Sequence, residues 1–221
     1  MTINAKEGVR MLGITGYGIY LLTSLLLNVT PGTDTMYIIS RSASQGRKAG
    51  YYSVLGISTG SFIHTLLAAF GLSIILAKSI VLFTAIKLIG AAYLIYLGIK
   101  MLRQKSPLNF ESSVLQHMEL KMIYMQGVIT NVTNPKVALF FISFLPQFIH
   151  PDNPYDPVPF ILLGISFIMT GTIWCFIIAY FASFATKKLR ENAKIADLLN
   201  KLTGIVFIGL GIKLFQTKAS R

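Results

Sequence analysis

Apolar runs follow one another along almost the whole of this sequence, each close to the ~20 residues a helix needs to cross hydrocarbon. Lipid offers the backbone no hydrogen bonds, so segments of this kind are restricted to helices. Spans are expected near 12–39, 50–77, 80–102, 123–148, 159–184 and 201–216, about six helices. Only 13% of residues are charged and the mean hydropathy is +0.64, whereas a soluble domain carries roughly 25% charge. The expected fold class is an all-α integral membrane protein, with residues 1–221 forming a single membrane domain.

Two of the spans are interrupted in the same way. Asn28-Val29-Thr30-Pro31-Gly32 lies deep in the first, and Asn131-Val132-Thr133-Asn134-Pro135 lies in the fourth. Proline removes a backbone donor and clashes with the preceding turn. In a bilayer such a break survives only where protein or a wet cavity surrounds it. Broken first and fourth helices flanked by Asn and Thr therefore point to a polar site between them, an arrangement that secondary transporters use.

The two halves echo each other beyond the breaks. Leu55-Gly56-Ile57-Ser58 recurs as Leu163-Gly164-Ile165-Ser166. Lys87-Leu88-Ile89-Gly90 followed by Leu97-Gly98-Ile99-Lys100 recurs as Lys201-Leu202-Thr203-Gly204 followed by Leu210-Gly211-Ile212-Lys213. The matches come in the same order, as an internal repeat requires. An odd number of spans per half turns the second copy upside down. The expected architecture is two inverted three-helix repeats, about 10–104 and about 121–217, with a substrate held near the midplane where they meet.

The net charge of +12 raises the question of nucleic acid, and its placement answers it. Basic residues gather at Arg41, Arg47 and Lys48, at Lys100, Arg103, Lys105 and Lys121, and at Lys187, Lys188, Arg190, Lys194 and Lys201. Between them, His150 to Pro159 holds Asp152 and Asp156 but no Lys or Arg. That alternation orients a membrane protein, with basic loops cytoplasmic against anionic lipid and both termini outside. Lys6, Arg10, Lys218 and Arg221 pull mildly the other way. No nucleic-acid role is implied. Cys175 is the one cysteine, which excludes an internal disulfide and paired-cysteine redox chemistry. The basic start and apolar first span resemble a signal peptide, but the run continues through the break without a small-residue cleavage site and is expected to be retained.

Asp34 follows the first break and Lys136 directly follows Pro135 of the second. Charges in a bilayer core face a partner or a cavity. The two residues suit either a structural pair or a jointly held zwitterion, its carboxylate toward Lys136 or a helix N-terminus and its ammonium toward Asp34 or unwound carbonyls. Asn28, Thr30, Asn131, Thr133 and Asn134 either bind substrate or satisfy backbone groups freed by Pro31 and Pro135. Gly32 gives the chain room to turn. His64, mid-span, is either a proton relay or a neutral imidazole bonded to a neighbouring helix. Gly46, Gly50, Gly56 and Gly60 form a helical stripe of small residues suited to close helix contact. No metal site or cofactor is implied, and a hydrolase would need a second catalytic partner for Asp34 that the sequence lacks.

At these residues the chain resembles the lysine exporter (LysE) superfamily, most closely its threonine/homoserine efflux (RhtB-type) branch. One block runs from Asn28 through Thr-Pro-Gly-Thr-Asp to Arg41, Gln45-Gly46-Arg47-Lys48-Ala49-Gly50, Gly56, Gly60, His64, Ala68 and Gly71-Leu72. The other is Gln126-Gly127, Asn131, Asn134-Pro135-Lys136, Phe140-Phe141 and Phe144-Leu145-Pro146-Gln147-Phe148. The resemblance implies a bacterial inner-membrane exporter of small zwitterionic amino acids or close derivatives, run on protons by alternating access. In that picture the substrate-binding set is Asn28, Thr30, Pro31, Gly32, Asp34, Asn131, Asn134, Pro135 and Lys136, and Asp34 or His64 couples protons. Thr33 stands where the family usually has a second proline. A passive channel, a membrane scaffold, an exporter of another small metabolite and a homo-oligomer all stay compatible with the sequence.

Overall fold

The computed structural model describes residues 13–72, 80–103, 117–150 and 156–183, with 201, 204–205, 208–209, 211–212 and 215–216. The expectations for the termini, for Lys105 and for the Lys187 to Lys194 cluster lie outside those residues, as do the side chains of Lys87 and Lys213. Within them the protein is helical. Short irregular stretches join the helices, and the described residues form no strand, only one isolated bridge between Ile14 and Ile149.

Helix α1 spans Tyr17–Val29 and starts from Gly16 at φ 63°, a left-handed conformation that glycine adopts without strain. It stops at the first break. The Thr30 hydroxyl and amide both donate to the Leu26 carbonyl, at 2.6 and 3.1 Å, and Pro31 cannot continue the ladder. Helix α2, Thr33–Leu66, is two arms rather than one rod. Gly46 has φ 81° and ψ −175°. A Cβ added to Gly50 would run into the Ser42 hydroxyl, although residues eight apart on a straight helix are about 12 Å distant. The chain therefore folds back at Gly46. Ile38 from the first arm packs with Val54 and Ile57 from the second and with Ala179 far along the chain in one apolar cluster.

This hairpin corrects two sequence expectations. Gly46 is the hinge and not a member of the packing stripe. The first span runs past 39 to that hinge, and the hydropathy signal ends early because Arg41, Ser42 and Gln45 are polar. Arg41 is no solvated loop charge: it is 5% exposed. Its guanidinium donates to Gln45 Oε1 at 3.1 Å, Gln126 Oε1 at 2.9 Å and Met118 Sδ at 2.7 Å, and lies 5.8 Å from the Tyr37 ring centroid. Arg41→Ala removes these charge-assisted bonds, including the one to Gln126, together with the packing of a buried side chain, a loss of about 1.5–3 kcal/mol. The expected outcome is a clearly lower melting temperature in detergent, with helix content unchanged at low temperature.

Helix α3 is Ile80–Arg103 and α4 is Leu120–Val132. After the second break comes α5, Pro135–Leu139, running into a wide turn at Phe140–Phe144 and a tight one at Leu145–Phe148. The two sides of this break meet at 47°. Helix α6, Pro157–Ala182, opens with Pro157 behind an Asp156 cap that accepts the Val158 amide at 2.9 Å. Met169 and Ile173 on α6 are each 60% exposed, and so extended an apolar face is matched by lipid and not by water.

Small residues decide which helices touch. Gly56 of α2 lies against the Tyr124 carbonyl and Gly127 Cα of α4, and Gly60 lies against the Asn131 side chain. Gly164 of α6 meets the Thr65 side chain of α2, and Gly171 meets Asn28 of α1. On α3, Gly90 meets Ser143, Gly98 approaches the Gly204 carbonyl, and the Ala91 carbonyl is approached by Gly211 from near the C-terminus. The main core closes around the second break, where Tyr20, Phe140, Phe141, Phe144, Phe148, Phe160 and Phe167 are buried together. Tyr20 also donates its hydroxyl to the Leu163 carbonyl at 2.8 Å, so a polar atom in this core is satisfied.

Candidate functional site

The α-helical ladder joins each carbonyl to the amide four residues on, so each proline deprives one carbonyl of its donor. Pro31 orphans the Leu27 carbonyl, and Pro135 orphans the Asn131 carbonyl. Lys136, from the second break, donates its Nζ to Leu27 O at 3.2 Å and Thr30 O at 3.1 Å. His64, on α2, donates Nε2 to Asn131 O at 3.3 Å, which fixes the proton on that nitrogen because a carbonyl only accepts. The Asn134 amide also reaches Asn131 O, at 3.0 Å. Each break is thus mended by a side chain from the other half of the chain.

Asp34 sits in the first turn of α2, where a carboxylate faces the positive end of the helix dipole. Its two oxygens accept from Asn131 Nδ2 at 2.7 Å and Asn134 Nδ2 at 3.0 Å. Asn134 also caps α5 through its oxygen, which accepts the Lys136 amide at 3.0 Å. Asn131 accepts from the Ser61 hydroxyl at 3.3 Å. One short network therefore ties the first break, α2 and the second break together. Gly32 leaves room for it, since a Cβ there would lie 3.2 Å from Lys136 Nζ.

Between the breaks and α6 lies a cavity of about 40 Å³, room for a few waters. Asn28, Asp34, Asn131 and Lys136 line it, with Thr35, Ser58 and Ser61 from α2. The opposite wall is one face of α6: Phe167, Ile168, Gly171, Thr172 and Cys175. The cavity is polar at the breaks and largely apolar at α6. Asn28 donates to Phe167 O at 3.3 Å and Thr170 Oγ1 at 3.2 Å, which anchors α1 to that wall.

Of the residues picked from sequence, Asn28, Asp34, Asn131 and Lys136 meet at the cavity. Thr30, Gly32 and Asn134 stand behind them, and Pro31 and Pro135 create the breaks. Lys136 takes carbonyls and not the Asp34 carboxylate as its hydrogen-bond partners. His64 is buried, stacked 5.7 Å from the Phe141 centroid, and reaches Asp34 only through Asn131. Thr33, at the second-proline position, is exposed at the start of α2. Ser58, Ser61, Gly171, Thr172 and Cys175 escaped the sequence reading as site residues. The signal for the α6 group was present: Phe167, Ile168, Gly171, Thr172 and Cys175 recur at the spacing of one helical face. Among the described residues no three His, Cys, Asp or Glu side chains are grouped to hold a metal.

A helical membrane protein with two mended breaks around a polar cavity fits a translocator, and comparison with known families agrees. Residues 25–218 match the LysE type translocator family, and the chain belongs to it. It is 36% identical over 202 residues to the uncharacterized membrane protein YrhP of Bacillus subtilis, covering 88% of this chain and 95% of that one. An uncharacterized membrane protein of Vibrio cholerae is 33% identical over 200 residues, with 90% and 96% covered. The leucine efflux protein of Salmonella typhimurium is 28% identical over 202 residues, with 91% and 95% covered. No solved structure matches at a significant level. The family makes this a membrane transport protein and not an enzyme.

Proposed function

We propose that this protein exports a small aliphatic amino acid across the bacterial inner membrane in exchange for protons, by alternating access between two inverted halves. One observation carries the proposal: residues of opposite charge, Asp34 and Lys136, reach one cavity from two different helix breaks. A zwitterion is the ligand such a site suits, with its carboxylate toward Lys136 and its ammonium toward Asp34. The inverted reading gains support from packing, since Gly98 meets Gly204 while Gly211 meets Ala91. If Gly98 corresponds to Gly211 and Gly90 to Gly204, the reciprocal of the first contact is Gly211 with Gly90, and Ala91 is its immediate neighbour.

The substrate's side chain is read from the α6 wall. A hydroxylated substrate, as the threonine/homoserine resemblance suggests, would find on that wall one hydroxyl, Thr172, already paired with Ser58 at 2.7 Å, and otherwise Phe167, Ile168 and Cys175. An aliphatic one buries apolar surface there, and one relative carries the name leucine efflux protein. The test is uptake of labelled leucine, threonine and lysine into inside-out vesicles with an acid interior. Leucine should accumulate above equilibrium and be released by an uncoupler. Equilibration without accumulation would instead indicate a passive path, and no uptake by inserted protein would exclude amino acids.

A further inference from the structure

The carbonyls at the first break face an ammonium that belongs to the protein itself. Leu27 O lacks its helical donor because Pro31 has no N–H, and Thr30 O lies in the bend just before α2 begins anew. Both lie at the C-terminal, negative end of α1. Lys136 Nζ lies 3.2 and 3.1 Å from them, over a glycine that offers no side chain in its path. Asp34 borders the same cavity, and each of its oxygens accepts one amide bond while retaining a further lone pair. Carbonyl, carbonyl and carboxylate make a set of acceptors for a primary ammonium.

We infer that the Leu27 and Thr30 carbonyls are the seat for the substrate's α-ammonium, and that Lys136, seated there in this structure, is displaced onto the substrate's carboxylate when an amino acid binds. This inference rests on the export reading and adds an exchange of partners to it. Lysine suits the part, being a compact charge on a flexible four-carbon stem. It is also the one Lys or Arg among the described residues that line the cavity. The exchange keeps every strong acceptor occupied: the incoming ammonium replaces the one that leaves, and the freed ammonium meets the incoming carboxylate. A ligand with only one of the two charges completes half of the exchange and leaves either Lys136 or a carboxylate without a partner.

The test is competition for labelled leucine on the purified full chain. The competitors are leucine, leucinol (ammonium only) and 4-methylpentanoate (carboxylate only). Wild type should prefer leucine to leucinol by at least about tenfold. In Lys136→Met, where the seat is free and the carboxylate has no partner, leucinol should match or exceed leucine, with 4-methylpentanoate weak throughout. Lys136→Gln, whose amide still donates to one carbonyl, should show the same inversion and guards against misfolding of the methionine variant. A preference for leucine that persists in both variants overturns the inference. So does failure of folded variants to bind leucinol. Wild-type protein that binds no amino acid would overturn the export reading itself, and this inference with it.

Discussion

Asp34→Asn is expected to reduce transport by roughly 100-fold, the effect of removing about 3 kcal/mol of interaction with a buried cation. The protein should still insert and keep its helix content. The reason lies in the two bonds that the carboxylate accepts, from Asn131 at 2.7 Å and from Asn134 at 3.0 Å. An amide at position 34 supplies one acceptor and one NH2 group, so one of those neighbours would face a donor. More importantly, it removes the one negative charge lining the cavity among the described residues, and with it the site's attraction for an ammonium. Asp34→Glu keeps the charge and displaces it by a methylene, so its activity should fall between the two. Rates normalised to inserted protein, with circular dichroism as the folding control, decide the matter. Asp34→Asn transport within twofold of wild type would remove Asp34 from the site.

The breaks were legible in sequence because proline inside an apolar run has few physical outcomes. So was the meeting of Asn28, Asp34, Asn131 and Lys136, since charges and amides in lipid need one another. The partners of Lys136 were not legible. Opposite charges suggest a direct pair, whereas the carbonyls of Leu27 and Thr30 compete for the same ammonium, and backbone acceptors have no letter in the sequence. Gly46 was misread for a related reason. A glycine at helical spacing looks like a packing residue, and only its φ of 81° shows that it turns the chain. Arg41 followed the rule that basic residues mark loops, but here Gln45, Gln126 and Met118 surround it. The α6 wall carries the spacing of one helical face, but that spacing alone assigns it no role, because Phe, Ile, Gly and Cys on a membrane helix read equally well as packing or as lining.

The mended breaks also explain how a small site can be both stable and movable. Each orphaned carbonyl is satisfied by a group from the other half, Lys136 for Leu27 and His64 for Asn131. Pulling Lys136 away from the first break exposes Leu27 O, at a cost of about 1–3 kcal/mol, whereas Asn131 O keeps the Asn134 amide when His64 departs. Motion that carries the two breaks together, or that supplies a replacement donor, avoids that penalty. An amino acid brings such a donor with its ammonium.

The position least tolerant of added bulk is expected to be Gly56, and even alanine there should be severe. A Cβ at Gly56 would overlap the Tyr124 carbonyl of α4 and lie 3.1 Å from Gly127 Cα. These atoms are backbone, so no side chain can rotate aside, and α4 has to move away from α2. Gly127 is tight from the other side as well, since its own Cβ would be 2.9 Å from the Ser53 carbonyl. Separation strains the bonds between the same two helices, including Tyr37 to Ile123 O at 2.7 Å and Ser61 to Asn131 at 3.3 Å. It also draws Asn131 away from Asp34, so stability and transport should fall together. Overpacking of this kind costs about 1–3 kcal/mol, and Gly56→Ala belongs at the upper end. Gly18→Ala is the control with the opposite sign. Gly18 is within α1 with nothing near its missing side chain, and alanine is the better helix former by about 1 kcal/mol. Melting curves in detergent should therefore move down for Gly56→Ala and stay level or rise for Gly18→Ala. A Gly56→Ala protein as stable and active as wild type would mean that α2 and α4 do not touch backbone to backbone, and the site built on their contact would have to be redrawn.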